Sequence, residues 1–274
     1  MILLVASSKD PASMNIKERV LNKYPFAKTG EVYQENPLYS AEMNGKQIQL
    51  ATLREEAVYA QNLLEHFKKV TLVIFLSRHS SQSGKPTLSV HAPGNFSEAG
   101  LGGLARTLSI APAKAMGDAL KALDGFRTEM KLNYDVSYEC THHGPSLDVP
   151  TMFIELGSSP KQWQDPNAAE AVAKAAVEAV INFQQSDQTA VLGIGGPHYN
   201  PKFTKMTLEN EALFGHMISK HALPNVNTEI LRQCLQKTQE KVSHAILDWK
   251  GITSKDKPQI LAALAEIKLE YKKA

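Results

Sequence analysis

Short apolar runs alternate along this chain with longer stretches whose apolar residues recur at helical spacing. Residues 2–6 are apolar without a break and predict a buried first strand. Residues 70–76 are β-branched, leucine or phenylalanine throughout, the composition of a central strand buried on both faces. Shorter runs at 87–90, 136–140, 151–156, 190–194 and 244–249 predict further strands, with 136–140 and 151–156 as a central pair. Asn44-Gly45 separates two β-like runs, 31–43 and 46–52, and both residues tolerate positive φ, so a hairpin is expected there.

Helices are predicted over 15–21, 61–68, 113–123, 168–183, 228–237 and 254–271. Asn167 is placed to cap the fourth of these, along which Val172, Ala176, Val180 and Phe183 form an apolar stripe. In the last, Ile260, Leu261, Leu264 and Ile267 face inward with Leu269 at the edge of the stripe, leaving Lys268, Lys272 and Lys273 most simply as a solvated face, with nucleic-acid contact as the lesser alternative. Strands and helices alternate throughout, without repeats, low-complexity tracts or a linker. The expected architecture is a three-layer α/β sandwich around a mixed, mostly parallel sheet. It spans 1–274 as one compact domain or two intimate subdomains.

Composition narrows the class. Hydrophobic residues make up 43% of the 274, enough for a sizeable core. No apolar run approaches the roughly 18 residues that a membrane span needs, and the apolar start is too short and lacks the basic flank of a signal peptide. Cys140 and Cys234 make neither a disulfide framework nor a thiolate metal site, and a cytoplasmic protein is expected. A net charge of +2 does not announce nucleic-acid binding, but a local basic patch suffices to meet phosphates.

Candidate chemistry gathers at the ends of the predicted strands, where α/β sheets place their ligands. Tyr138-Glu139-Cys140-Thr141-His142-His143-Gly144-Pro145 carries two imidazoles out of one strand, and Glu155 stands on the strand at 151–156. Adjacent histidines on a strand point to opposite faces, so one of the pair is expected to share a face with Glu155. Imidazole and carboxylate are ordinary zinc ligands. Arg78 and His79 end the central strand, and His91 ends the next. A second loop, Gly195-Gly196-Pro197-His198-Tyr199-Asn200-Pro201-Lys202, offers glycines for close backbone approach and a histidine at its tip. In it Tyr199 and Phe203 could stack on a ring, and Lys202 and Lys205 could meet phosphate, but taken alone the loop reads more simply as a Gly-Pro turn with a solvated histidine. Gly100, Gly102 and Gly103 form a flexible stretch that matches no nucleotide fingerprint. His216, inside an apolar run, is expected to be a hydrogen-bonded core residue.

Taken together and in order, these blocks resemble one family. Ser77-Arg78-His79, His91-Ala92-Pro93-Gly94-Asn95, Thr141-His142-His143-Gly144-Pro145, Ile154-Glu155-Leu156-Gly157-Ser158-Ser159, Gly193-Ile194-Gly195-Gly196-Pro197-His198-Tyr199 and Phe214-Gly215-His216 resemble the motifs of D-aminoacyl-tRNA deacylases of the archaeal and plant type. The resemblance implies hydrolysis of the ester between a D-amino acid and the terminal ribose of tRNA. It also implies an association with zinc, and a layered α/β fold similar to phosphorylases and peptidyl-tRNA hydrolases with a second lobe elaborated on it.

The expected site follows from these residues. His143, Glu155 and His198 are the first candidates to hold zinc, with His79 and His91 behind them. His142 is expected as general acid/base or as a support for a ligand. Arg78 and Lys202 are expected to hold the tRNA 3′ end, with Arg78 at the reacting centre and Gly195, Gly196 and Tyr199 lining the substrate. A metal-free variant uses a histidine base and the Gly195 and Gly196 amides as an oxyanion hole. The rival readings are a zinc-dependent peptidase-like hydrolase and a non-catalytic tRNA-binding protein. A monomer is expected.

Overall fold

The structure, a computed structural model, describes every residue from Met1 to Ala274. β1 (Ile2–Ser7) leads into α1 (Pro11–Lys23), whose first turn is capped by Asp10 accepting from the Ser13 N–H at 3.0 Å. Then come β2 (Ala27–Tyr33), β3 (Asn36–Met43) and β4 (Lys46–Leu53). The Asn44-Gly45 hairpin forms as expected, but the run at 31–43 is two strands. Gln34 and Glu35, both at positive φ, fold it back on itself. The helix expected over 61–68 shrinks to one turn, α2 (Leu63–His66), before β5 (Leu72–Arg78) and β6 (Thr87–His91).

Next are α3 (Ala113–Glu129), β7 (Asp135–Tyr138), β8 (Thr151–Gly157), the single-turn α4 (Pro160–Trp163) and α5 (Pro166–Asn182). Asp165, not Asn167, caps α5, because Pro166 fixes the first helical position two residues earlier than expected. The last third holds β9 (Ala190–Ile194), α6 (Pro201–Leu208), β10 (Phe214–Ile218), α7 (Thr228–Gln236), β11 (Val242–Leu247), α8 (Lys257–Glu266) and β12 (Tyr271–Lys273). Residues 201–205, read as loop, begin α6, with Asn200 as its cap. The helix expected to run to 271 stops at Glu266, and Tyr271 to Lys273 pair with β11 instead.

Two sheets result. The first has the order β2-β3-β4-β1-β5-β8-β6-β7; the second, β10-β9-β11-β12, is parallel throughout. The first is mixed, since β6 runs antiparallel to β8. That strand also separates β7 from β8, so the expected central pair is not a pair.

Alternation along the first sheet divides its two faces. Leu72, Ile74, Leu76, Met152, Ile154 and Leu156 join the apolar faces of α1, α3 and α5 in a core of 39 buried residues. The α5 stripe, Ala168 through Val180, is wholly buried there, and each such branched side chain contributes roughly 1.5–3 kcal/mol. The same core continues into the second sheet through Val191, Phe203, Phe214, Met217 and Ile246. The other face of that sheet packs on α7 and α8 through Leu192, Ile218, Leu247, Ile230 and Leu264. The opposite face of the first sheet has a thinner cover. Val73, Phe75 and Phe153 are covered there by Leu147, the turn at Ala57 and Ala60, and Leu63 and Phe67 at α2. Toward the ends of β5 and β8 this apolar layer gives way to polar groups.

No helix is long and apolar enough to cross a membrane. Cys140 and Cys234 are both buried and free.

Candidate active site

The thinly covered face holds the site. Its residues alternate along three neighbouring strands: Phe75 and Ser77 on β5, Phe153 and Glu155 on β8, Ser89 and His91 on β6. Ser77 and Ser89 flank Glu155 in register, and His91 stands opposite Phe153. The Phe153 ring stacks on Phe75 at 4.6 Å and on His91 at 5.0 Å. Two residues beyond Ser77, just past the end of β5, lies His79.

The second sheet supplies the far wall. Beyond β7 the chain stays extended. The Glu139 N–H donates to the Val90 carbonyl, and the Cys140 N–H to the His198 carbonyl at 2.8 Å. Glu139 thereby pairs antiparallel with Tyr199. The loop after β9 closes on itself, with Asn200 donating to the Gly195 carbonyl at 3.0 Å while capping α6. This docking aims His198 and Tyr199 at Glu139.

His142 and His143 share the cavity, contrary to the expectation that they diverge. The strand has ended, His143 sits at φ 42°, and the two rings lie 4.2 Å apart. Their loop is fixed from below: the Gly94 N–H is shared between the His142 and His143 carbonyls. The glycine stretch read as flexible is close-packed against it. A Cβ on Gly144 would lie 2.1 Å from the Gly103 nitrogen, so only glycine fits.

Glu139 is the hub, and it was not among the residues singled out from the sequence. Fully buried, it meets His198 Nε2 at 2.9 Å and His142 Nε2 at 3.7 Å through Oε2, and His79 Nδ1 at 3.1 Å through Oε1. Glu155, also buried, meets His79 Nδ1 at 3.5 Å and His91 Nε2 at 3.7 Å. His79 completes its contacts at the Tyr199 hydroxyl. The only signal for Glu139 was its position, an acidic residue in an otherwise apolar extended run just before the histidines.

Burial and charge set the protonation states. Burial opposes charge on His79, but the carboxylates of Glu139 and Glu155 outweigh it and push its pKa up to about 10. The same contacts overcome burial at the carboxylates and hold Glu139 well below the usual range, with Glu155 also lowered. His143 is pushed down to about 4 by burial and by neighbouring His91. His142 falls well below the usual value from burial and from the His143 and His91 beside it. The centre is therefore a charged His79 between two carboxylates, with neutral imidazoles above.

Those neutral rings bear on metal binding. The Nδ1–H of His142 donates to the Cys140 carbonyl at 2.9 Å, so its Nε2 lone pair faces the Glu139 carboxylate. Two lone pairs face to face repel unless a cation lies between them. Glu139 Oε1 and His91 Nε2 are buried without an aligned hydrogen-bond partner. Donor atoms fall within 4.8 Å of one another in three sets: Glu139, His142 and His198; His79, Glu139 and Glu155; His91, His142 and His143. Nitrogen and carboxylate oxygen in this arrangement fit zinc. The expected trio His143, Glu155 and His198 is brought into one cavity but divided among the three sets.

The cavity holds about 520 Å³ and opens between the imidazoles and an apolar rim at Val58, Tyr59 and Leu101. Arg78 lines it, but its guanidinium is engaged, bonding both oxygens of Glu56 at 2.9 and 3.0 Å beside Trp163. Lys202 lies elsewhere, paired with Asp248 at 2.6 Å. Gly195 and Gly196 do not form the oxyanion hole considered above. Their amides donate to Ile218 and Gly251, and their missing side chains admit Ile252 and Asn200. His216 is a core histidine as expected, its Nε2–H donating to the Ser109 and Lys237 carbonyls.

Residues 66–272, which include every residue of this cavity from Ser77 to Tyr199, match the family model described as D-aminoacyl-tRNA deacylase. The chain belongs to this family. Among curated members, the D-aminoacyl-tRNA deacylase of Thermococcus kodakarensis is 35% identical over 99% of both chains, and that of Pyrococcus abyssi 34% over 99% of both. That of Ignicoccus hospitalis is 39% identical over 72% of this chain and 78% of its own. A crystal structure described as a conserved protein of unknown function superimposes with a TM-score of 0.88 at 30% identity, covering 100% of this chain and 95% of the other. The deacylase family model begins after β4, so the β2–β4 hairpins lie outside it, whereas the archaeal deacylases align along nearly the whole chain.

Proposed function

We propose that the cavity around Glu139 is where this chain performs the hydrolysis that its family is named for, cleaving the ester between a D-amino acid and the terminal ribose of tRNA. Zinc is held by Glu139, His142 and His198 in this reading. The choice rests on exposure: the two imidazoles face the cavity about one-third exposed, while the His79, Glu139 and Glu155 set is sealed beneath. A catalytic ion must keep an open position. Bound there, zinc would lower the pKa of a water toward about 7 and polarise the ester carbonyl.

The remaining roles follow from the protein's own hydrogen bonds. His143 donates its Nδ1–H to the Gly144 carbonyl at 2.7 Å, which leaves Nε2 free to take a proton as general base. The roles expected for His142 and His143 are thus exchanged, because it is His142 whose Nε2 faces Glu139. His79, charged between Glu139 and Glu155, orients both carboxylates, and Tyr199 orients His79. His91 supports Glu155. Arg78, held by Glu56, shapes the wall on which substrate lies. A monomer in the cytoplasm, where its tRNA substrate is found, belongs to this reading.

The observation that carries this reading is the Glu139 carboxylate facing the His142 lone pair. The test is elemental analysis of the purified protein with hydrolysis measured on D-aminoacyl-tRNA and on a peptide. We expect zinc in the intact chain, its loss in Glu139→Gln and His198→Ala, and ester cleavage without peptide cleavage. A peptidase would show the reverse preference. A tRNA-binding protein without turnover would bind but release no amino acid.

A further inference from the structure

All four strands of the second sheet are parallel, so their C-terminal ends open on one edge. The loops there are stitched together by the backbone. The Lys220 N–H donates to the Gly196 carbonyl at 2.8 Å, the Gly196 N–H to Gly251 at 3.4 Å, and the Trp249 N–H to Ala274 at 3.3 Å. One edge therefore gathers Lys220, Lys250, Lys255, Lys257 and Lys273 from separate segments of the chain. The acidic residues on these loops, Asp248 and Asp256, are both buried and already bonded, to Lys202 at 2.6 Å and to the Thr253 hydroxyl at 2.7 Å. None of the five lysines has a carboxylate partner, in contrast to Lys202.

Two of these ammonium groups share one ring. Lys257 and Lys273 lie over Trp249 at 4.3 and 3.9 Å from its centroid. The π system of an indole attracts cations, so the ring concentrates two positive charges at this edge, and an anion set against them would be held by both. The molecule as a whole carries only +2, so this concentration is local. The edge also adjoins the cavity: only Pro197 separates Gly196 from His198, two steps that span at most about 7 Å of chain.

We propose that this edge grips the phosphodiester backbone of the tRNA acceptor stem while the 3′ end enters the cavity. The proposal rests on the reading of the cavity as a deacylation site. Lysines at this spacing position a polyanion without reading its sequence. The solvated lysines of the C-terminal segment acquire a partner in this way.

The experiment is binding of uncharged tRNA across a salt series, which needs no turnover. The variants are Lys220→Ala/Lys250→Ala/Lys273→Ala and a control, Lys46→Ala/Lys68→Ala/Lys69→Ala, at the opposite ends of β4 and β5. The intact chain and the control should bind alike. The edge variant should bind at least tenfold more weakly at low salt, with the slope of log affinity against log salt reduced by about 2 to 3. Its hydrolysis of a D-aminoacyl-adenosine, which lacks the stem, should be unchanged. Equal binding by the edge variant and the intact chain, or no tRNA binding by the intact chain, would overturn the proposal. Failure of the intact chain to cleave the small ester while still binding tRNA would instead count against the deacylation reading and leave the edge standing.

Discussion

Glu139 Oε2 lies 2.9 Å from His198 Nε2, across 59 residues of sequence. The contact joins an extension of the first sheet to a loop of the second. His79 meets the other oxygen of the same carboxylate, so one buried charge orders imidazoles from two directions.

Replacing it isosterically should therefore disable the site more than the fold. Glu139→Gln keeps the shape but removes the charge that balances His79. Deacylation should fall by about 10²–10⁴-fold, and stability by roughly 1–3 kcal/mol, because Glu155 still partners His79. Steady-state rates and denaturant titration read both. A variant with normal rates would remove Glu139 from the reaction.

Tyr199 tests orientation rather than chemistry. Its hydroxyl meets Nε2 of the charged His79 ring, the nitrogen turned away from the two carboxylates. Tyr199→Phe leaves a buried N–H without an acceptor and should lower stability by roughly 1–3 kcal/mol. The accompanying loss of kcat should be smaller than for Glu139→Gln. Thermal denaturation and kcat at saturating substrate decide it.

The core histidine gives a pH prediction of definite sign. Burial pushes His216 down to about 4 from its ordinary 6.5. Between those values the unfolded chain binds a proton that the native chain refuses. His216 thus costs nothing above pH 6.5, and stability is lost as pH falls toward 4, at about 1.4 kcal/mol per unit. The groups facing it are Thr141, through Nδ1, and the Ser109 and Lys237 carbonyls. His216→Gln should flatten the profile of unfolding free energy over this range by one proton. A slope equal to that of the unaltered chain would contradict the assignment.

Gly144 should tolerate no side chain. In Gly144→Ala the methyl group would strike backbone atoms of Gly102 and Gly103, which cannot rotate away as a side chain could. The loop carrying His142 and His143 must shift, at a cost of about 1–3 kcal/mol or more. Activity should fall more than stability does, because the imidazoles move while the core does not. Parallel assays of melting and turnover distinguish this from general unfolding.

Strands with continuous apolar runs, such as β5 and β9, were legible because burial on both faces leaves a signal in every residue. The site was legible as a set of residues but not as a geometry. His79, His91, His142, His143, Glu155 and His198 do converge. Their grouping was hidden because it depends on β6 lying between β7 and β8, which no local pattern reports. Period-two reasoning separated His142 from His143, and it failed because β7 ends at Tyr138 and the backbone turns left-handed at His143. Glu139 went unnoticed because a lone acid in an extended run carries no periodicity. Gly195, Gly196 and Lys202 resembled a ligand loop in sequence, yet their glycines and charge serve contacts between loops of the second sheet.

Tyr199 pairs with Glu139 as one rung of backbone, and that rung ties when the site can exist to when the molecule is finished. A growing polypeptide that has emerged only through β8 already holds His79, Glu139, His142 and Glu155, but has no loop to close over them. It stays inert until the second sheet arrives, and mutations that tilt that sheet will be felt at an acid residue they never touch.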